Sequence, residues 1–296
     1  MRDEGKLDLS VIIVTWNTCE LLAKCLEAVP AAIGELAAEI WVVDNASSDS
    51  TVEMVQERFP EVHVIANREN RGWAGANNQA LKQSAGRCLL LLNADTEPRP
   101  GSLAALARFL DEHPDAGACG PMLLASDGSI QGNGRRFPTF WKEFLDVTGL
   151  RHLALGAYIR HFGWGREDFT TRAEVDEVTG ACLLARREAV EQVGLLDEQF
   201  FMYYDEVDWC CRMKAAGWRV FYVPEAQVVH HVAASVKQVG FEAYRRLFES
   251  QYRYFSKHAS WPTQVAVLLI GRVGLATHWL RFLAARVKRR LLGRKG

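Results

Sequence analysis

The chain of 296 residues is 49% hydrophobic and 24% charged, which excludes a disordered protein, and its 23 Gly and 9 Pro exclude a collagen-like one. A formal charge of −1 conceals an asymmetry: residues 263–296 carry eight Lys/Arg and no acid, so residues 1–262 hold 27 basic against 36 acidic residues, a net −9. An acidic body with no recognised binding module argues against nucleic acid as a partner. Length allows about two domains.

Strand-like and helical runs alternate through the first 120 residues. Short apolar segments at Leu9–Thr15, Ile40–Val43, Val62–Ala66 and Cys88–Leu92 are followed by helical patterns at Cys19–Val29, Ser50–Arg58, Ala74–Ser84 and Ser102–His113, and another apolar segment follows at Ala116–Pro121. This β-α alternation predicts an α/β protein with a mostly parallel central sheet, helices on both faces and ligands at the strands' carboxyl ends. Residues 125–174 lose the periodicity and read as an irregular, mobile insertion. Regular patterns return as a strand at Val178–Ala185, a helix at Arg187–Val193, a helix at Glu206–Ala216 and short strands at Val220–Val223 and Gln227–His230. Residues 237–296 form a helical C-terminal extension with a basic tail, set apart from the body at 1–236.

Five segments carry candidate chemistry. After the second strand, Asp44 suits a base N–H or ribose hydroxyl, while Asp44 and Asn45 equally suit Asx turns, with Ser48 or Asp49 capping the next helix. Residues 67–81, NRENRGWAGANNQAL, combine Gly72, Gly75 and Asn78 at a helix start whose backbone donors suit an anion; a plain strand-to-helix turn explains them too. Neither G-x-G-x-x-G nor a P-loop occurs, which excludes the usual dinucleotide and NTPase readings. The strand LLLLNADTEP delivers Asn93 and Asp95 at its end, where Asp95 can ligate a hard divalent cation or simply be solvated. At 205–208, three acids crowd one helix start. Mutual repulsion raises at least one pKa and can produce a general base, whereas Asp205 as N-cap with Asp208 three residues on would be a capping arrangement, which leaves Glu206 unexplained. His230 and His231 end a strand, so only one can face a site.

The order VIIVTWN, VVDNASSDST, NRENRGWAGANN, LLLLNADTEP and VTGACLLARREAVEQVGLLDEQFFMYYDEVDWCCRMKAAGWRVFYVPEAQVVHH resembles family 2 glycosyltransferases of the GT-A fold, the Rossmann-like nucleotide-diphospho-sugar transferase architecture, and within them the rhamnosyltransferase-like branch. The resemblance spans roughly residues 9–235. It implies an inverting, metal-dependent glycosyltransferase of cell-surface polysaccharide synthesis, moving L-rhamnose from dTDP-rhamnose to a glycan or polyprenyl-linked saccharide. By position it implies that Thr15, Asn17, Asp44 and Asn45 border the nucleoside. It further implies that Asp95 of Asn93-Ala94-Asp95 coordinates Mg2+ or Mn2+ with His230 approaching the metal or diphosphate. Glu206 takes the base position, with Asp205 and Asp208 as alternatives. Two other readings are a non-catalytic nucleotide-sugar-binding scaffold and a transferase using a UDP-sugar such as UDP-galactofuranose or UDP-glucose.

Seven scattered cysteines without C-x-x-C spacing fit reduced thiols, and the charged N-terminus lacks a signal peptide's apolar stretch, so a cytoplasmic location is expected. Ala259–Gly271 is uncharged but too short to span a bilayer. Trp279, Leu280, Phe282 and Leu283, followed by Arg286, Lys288, Arg289 and Arg290, read either as an interfacial element on the anionic inner face of the cytoplasmic membrane or as a helix packed on the body.

Overall fold

The computed structural model describes residues 7–148, 150, 169–231 and 241–292, the side chains of 241, 278 and 280–292 excepted. Its centre is one sheet of ten strands: β1 (Leu9–Thr15), β2 (Ala38–Asp44), β3 (His63–Ala66), β4 (Cys88–Asn93), β5 (Thr96–Pro98), β6 (Ala116–Leu124), β7 (Ile130–Gln131), β8 (Ala173–Val175), β9 (Cys182–Arg186) and β10 (Arg219–His230). The main path runs β3-β2-β1-β4-β9-β6-β10-β5, with β7 on β6 and β8 on β10. The run β3-β2-β1-β4 is parallel, as the alternation predicts. The sheet as a whole is mixed, because β9 inserts antiparallel between β4 and β6 and the short β5, β7 and β8 also pair antiparallel.

Both faces are buried. In β1, Leu9, Val11 and Ile13 join one core while Ile12 joins the other, and in β4 Leu90 and Leu92 oppose Leu89 and Leu91 in the same way. That period-two division of continuously apolar strands is what a sheet covered on both sides requires. The first face is covered by α1 (Cys19–Ile33) and α4 (Ser102–Glu112), the second by α3 (Gly72–Leu81), α6 (Arg187–Val193) and α7 (Asp205–Ala215), while α2 (Thr51–Arg58) links β2 to β3.

Part of the segment 125–174 is ordered and belongs to the sheet, contrary to its irregular composition. It contributes β7, β8 and α5 (Phe140–Thr148), whereas residues 151–168, including HFGWGRED, lie outside the described residues. The two short strands expected at 220–230 are one strand, β10, with a register break between Val223 and Gln227. Pro224, which has no N–H to donate, sits at that break. Two C-terminal helices, α8 (Phe241–His258) and α9 (Trp261–Leu292), follow. A third core of Phe200, Val207, Tyr254, Phe255 and Val267 binds them to α7.

Candidate active site

The carboxyl ends of β1, β2 and β4 open into a cavity of about 480 Å³. Thr15, Trp16 and Thr18 from the β1 end, Asn45 after β2, and Asn93, Ala94 and Asp95 after β4 line one side. Thr179–Ala181, Phe201–Tyr203, Asp205, Glu206 and His230 line the other. Distant segments therefore share one cavity, because β9 runs back beside β4 and Asn93 N donates to Ala181 O at 3.0 Å.

At the ends of β1 and β2, Asp44 is the register partner of Thr15. Its Oδ2 accepts from Ser47 N at 2.9 Å, and its Oδ1 is buried without a partner. The Asx turn is therefore real, and Asp44 does not itself line the cavity, although Thr15 across the ladder and the adjoining Asn45 do. Asn17, at φ 53°, does not line the cavity; it ties the two strand ends together by accepting from Ser48 N at 2.7 Å. Asn45 Nδ2 donates to Gly72 O at 3.0 Å.

The start of α3 is not an open anion cradle. Gly72 N donates to Asn70 Oδ1 at 2.9 Å and Trp73 N to Phe201 O at 2.8 Å. Gly72 has φ +74°, and a Cβ there would lie 2.4 Å from Phe201 O, so the residue lets that segment close against the helix. Gly75 and Asn78 lie outside the cavity. Gly75 faces Arg71 and Glu198, and Asn78 clamps Leu196 through Nδ2→Leu196 O at 2.8 Å and Leu196 N→Oδ1 at 3.1 Å.

Asn93, at the end of β4, and Asp95, in the turn that follows, both line the cavity. Asn93 Oδ1 accepts from the indole of Trp73 at 3.2 Å, and Trp73 in turn lies so close to Gly180 that a Cβ there would meet the ring at 2.7 Å. The β5–β10 pairing, which sets His230 opposite Thr96, brings His230 Nε2 to 3.4 Å from Asp95 Oδ1. Gln131 Nε2 donates to His230 O at 2.7 Å, leaving its Oε1, 3.0 Å from His230 Nδ1, as the acceptor. That places a proton on Nδ1 and leaves Nε2, the nitrogen nearer Asp95, as the one that could ligate a metal. A carboxylate and an imidazole nitrogen thus point at one spot and fit a divalent cation. Among the described residues no group of three or more His, Cys, Asp or Glu converges, so a ligand's oxygens would have to fill the rest of the shell. His231 turns away to Glu97 and Ser126.

The acids at 205–208 separate into three environments. The N-cap of α7 is Tyr204, with φ 64°, so Asp205 begins the helix and makes no side-chain cap, contrary to the capping expectation. Tyr203 and Tyr204 both hold the left-handed conformation, which costs a non-glycine residue on the order of 1–3 kcal/mol and marks a constrained site. Tyr204 is held by its hydroxyl donating to Glu143 Oε1 at 3.1 Å, and Ser250 Oγ donates to Met202 O at 2.8 Å. Asp205 is buried, its Oδ2 lacks a partner, and burial together with Glu206 alongside pushes its pKa well above the carboxylate range. Asp208 lies outside the cavity: Lys257 Nζ at 2.8 Å, His258 Nε2 at 2.7 Å and Arg212 Nε at 2.8 Å surround its carboxylate. Burial alone would raise it, but the hydrogen bonds from Lys257, His258 and Arg212 outweigh burial and hold it low. Glu206 is the acid of the three that lines the cavity without being sealed in.

The family model described as Glycosyl transferase family 2 matches residues 10–194. The chain belongs to that family. This glycosyltransferase is similar to the N-acetylglucosaminyl-diphospho-decaprenol L-rhamnosyltransferase of Mycobacterium tuberculosis, at 31% identity over 91% of this chain and 92% of the relative. It is also similar to the dTDP-rhamnosyl transferase RfbF of Shigella flexneri, at 24% identity over 79% of this chain and 72% of that protein. Among solved structures, the mannosyltransferase PcManGT of Pyrobaculum calidifontis, solved with GDP-Man and Mn2+, superposes at TM-score 0.57 and 18% identity, covering 96% of this chain and 76% of that one. GalNAc-T7, solved with UDP, GalNAc and Mn2+, reaches the same TM-score and identity over 79% and 45%. These likenesses show the GT-A fold.

Trp16, Trp73, Gln131, Arg135, Thr179 and Phe201, none of them singled out by the sequence patterns, also line the cavity. Gln131 and Arg135 fall in the segment read as an insertion, and no spacing rule links any of the six to Asp95.

Proposed function

We propose that this glycosyltransferase moves a deoxyhexose, L-rhamnose from dTDP-rhamnose, onto a lipid-diphosphate-linked saccharide of a cell-surface glycan, with inversion at the anomeric carbon. The observation that carries this reading is the Asp95–His230 pair facing the same cavity as Glu206. The identity to a rhamnosyltransferase acting on a decaprenyl diphosphate, extending over nearly the whole of both chains, supports the donor and the acceptor class.

In this reading Asp44 Oδ1 accepts from the nucleobase or ribose, and Thr15 and Trp16 border the nucleoside. Asp95 and His230 hold Mg2+ or Mn2+, whose charge offsets that of a departing diphosphate. Glu206 takes the proton of the acceptor hydroxyl as its oxygen attacks the anomeric carbon. The bond from that carbon to the diphosphate breaks on the opposite face, and its electron pair leaves with the nucleoside diphosphate. Asp205, whose pKa burial and the neighbouring Glu206 raise, favours its neutral form beside the base, and Asp208 positions α7.

The catalytic domain in this proposal is residues 1–236, and residues 237–296 are a brace that also touches the membrane. No helix among the described residues is long and apolar enough to cross one. On α9, Val267, Gly271 and Gly274 face inward while Leu269, Val273 and Trp279 are exposed beside Arg272, and the segment contains no acid. That surface, with the basic residues after it, suits an anionic bilayer presenting a lipid-linked acceptor. The basic residues at 286–290 lie in helix whose side chains are outside the described ones.

The decisive test is a panel of nucleotide sugars scored for protection against thermal unfolding, with and without Mn2+. Metal-dependent protection by dTDP-rhamnose is the expected result. Protection by a UDP-sugar instead would overturn the donor, and metal-independent protection would overturn the Asp95–His230 assignment.

A further inference from the structure

The cavity is lined by the carboxylates of Asp95 and Glu206 and by the buried acid Asp205, and among the described lining residues Arg135 is the one Lys or Arg. A phosphorylated substrate entering so acidic a space needs positive charge or free donors. The N–H groups of Gly72 and Trp73 at the start of α3 are already committed to Asn70 and Phe201, so that helix end supplies neither.

Arg135 sits on a backbone fixed from both sides. Its N donates to Glu177 O at 2.9 Å, and its O accepts from Asp176 N at 3.0 Å and Glu177 N at 3.1 Å. Two residues earlier, the buried Asn133 side chain donates to Pro121 O at 2.8 Å and accepts from Thr179 N at 2.9 Å, which joins this segment to the cavity wall at Thr179. The side chain is 43% exposed.

Among the described residues the guanidinium makes no hydrogen bond; it pairs loosely with the Glu177 carboxylate, at 3.9 Å. Arginines elsewhere in the fold differ: Arg186, Arg187 and Arg212 each donate to backbone carbonyls or to Asp208. Burial pushes Glu177 up to about 7, so it steers Arg135 without fully neutralising it. A planar fork of five N–H donors on a rigid stem matches two phosphate oxygens at once.

We propose that Arg135 binds a substrate diphosphate through its guanidinium, a specificity-determining contact beside the Asp95–His230 pair. This rests on the proposed glycosyl transfer from a nucleotide sugar. A diphosphate occurs on the donor and on a lipid-linked acceptor, and the two sources are separable.

Purified full-length wild-type, R135K and R135Q proteins would be titrated calorimetrically with dTDP and with dTMP in Mn2+, and separately with a short-chain isoprenyl diphosphate. If the donor is the source, R135Q binds dTDP about 10-fold to 100-fold more weakly and loses the preference for dTDP over dTMP, with R135K intermediate. If the acceptor is the source, dTDP binding is unchanged and the isoprenyl diphosphate is the ligand weakened. Unaltered melting temperatures in both variants separate these results from misfolding, as expected for a half-exposed side chain. Wild-type affinity of R135Q for both diphosphates overturns the inference and leaves the proposed function standing. Failure of the wild type to bind either diphosphate overturns the proposed function and this contact with it.

Discussion

One wall of the cavity stands on the ends of β1, β2 and β4, parallel strands whose ladder pairs Thr15 with Asp44 and Val14 with Asn93. The facing wall, made of Thr179–Ala181 and of Phe201–Glu206, is loop and helix start. It is kept in place by groups reaching from α5 and α8: Glu143 to Tyr204, Ser250 to Met202, and Lys257 and His258 to Asp208. The first wall holds its side chains by backbone hydrogen bonds that any apolar strand sequence would form. The second holds strained backbone by specific polar contacts, so its geometry depends on a few named side chains. In the proposed chemistry the first wall grips the nucleotide and the second performs the proton transfer.

That division is most sharply tested at Glu206 and Asp44. Glu206→Gln is expected to lower kcat about 10³-fold with donor affinity unchanged, as removal of a general base should. Asp44→Asn is expected to raise the donor Kd about 10-fold, or about 1.4 kcal/mol, and leave kcat near wild type. Steady-state kinetics and calorimetry on both variants check this, and an equal loss of kcat in both would erase the distinction between the walls.

The brace comes next in size. Asp208→Asn leaves Lys257, His258 and Arg212 facing an amide, and should cost about 2–3 kcal/mol, the lower part of the range for breaking a buried pair because Lys257 is partly exposed. Denaturant midpoints check it. The pH dependence has a definite sign. The folded pKa of Asp208 is held below its unfolded value, so its contribution is complete above the ordinary aspartate pKa of about 3.9 and is lost as pH falls through the lower folded value. Asp208→Asn should lack that acid limb.

The smallest effect belongs to the outer face of α9. Val273→Glu with Trp279→Glu is expected to weaken binding to vesicles containing anionic lipid about 10-fold while turnover of a short, soluble acceptor stays unchanged. Unchanged vesicle binding would make α9 a packing helix only.

The first wall was readable in the residues. Strand ends at 15, 44 and 93 fall within a residue of the apolar runs, because a strand buried on both faces must be continuously apolar and stops where polar atoms begin. The second wall was readable only as a list of acids. Three neighbouring carboxylates look equivalent in sequence, yet one is sealed without a partner, one is ringed by cations from α7 and α8, and one faces the cavity. The capping reading failed because Tyr204, not Asp205, precedes the helix, in a conformation that Glu143 helps to hold from α5.

By itself, then, the sequence determined the layered architecture, the parallel half of the sheet and which segments bear acids and imidazoles, since these follow from periodicity and from chemistry carried on single residues. Tertiary structure alone decided the antiparallel entry of β9, the meeting of His230 with Asp95, the separate fates of Asp205, Glu206 and Asp208, and the arrival of Arg135 at the cavity. Each of those depends on contacts between distant segments, whose free energy is set by burial and hydrogen bonding across the fold and leaves no local signature in the chain.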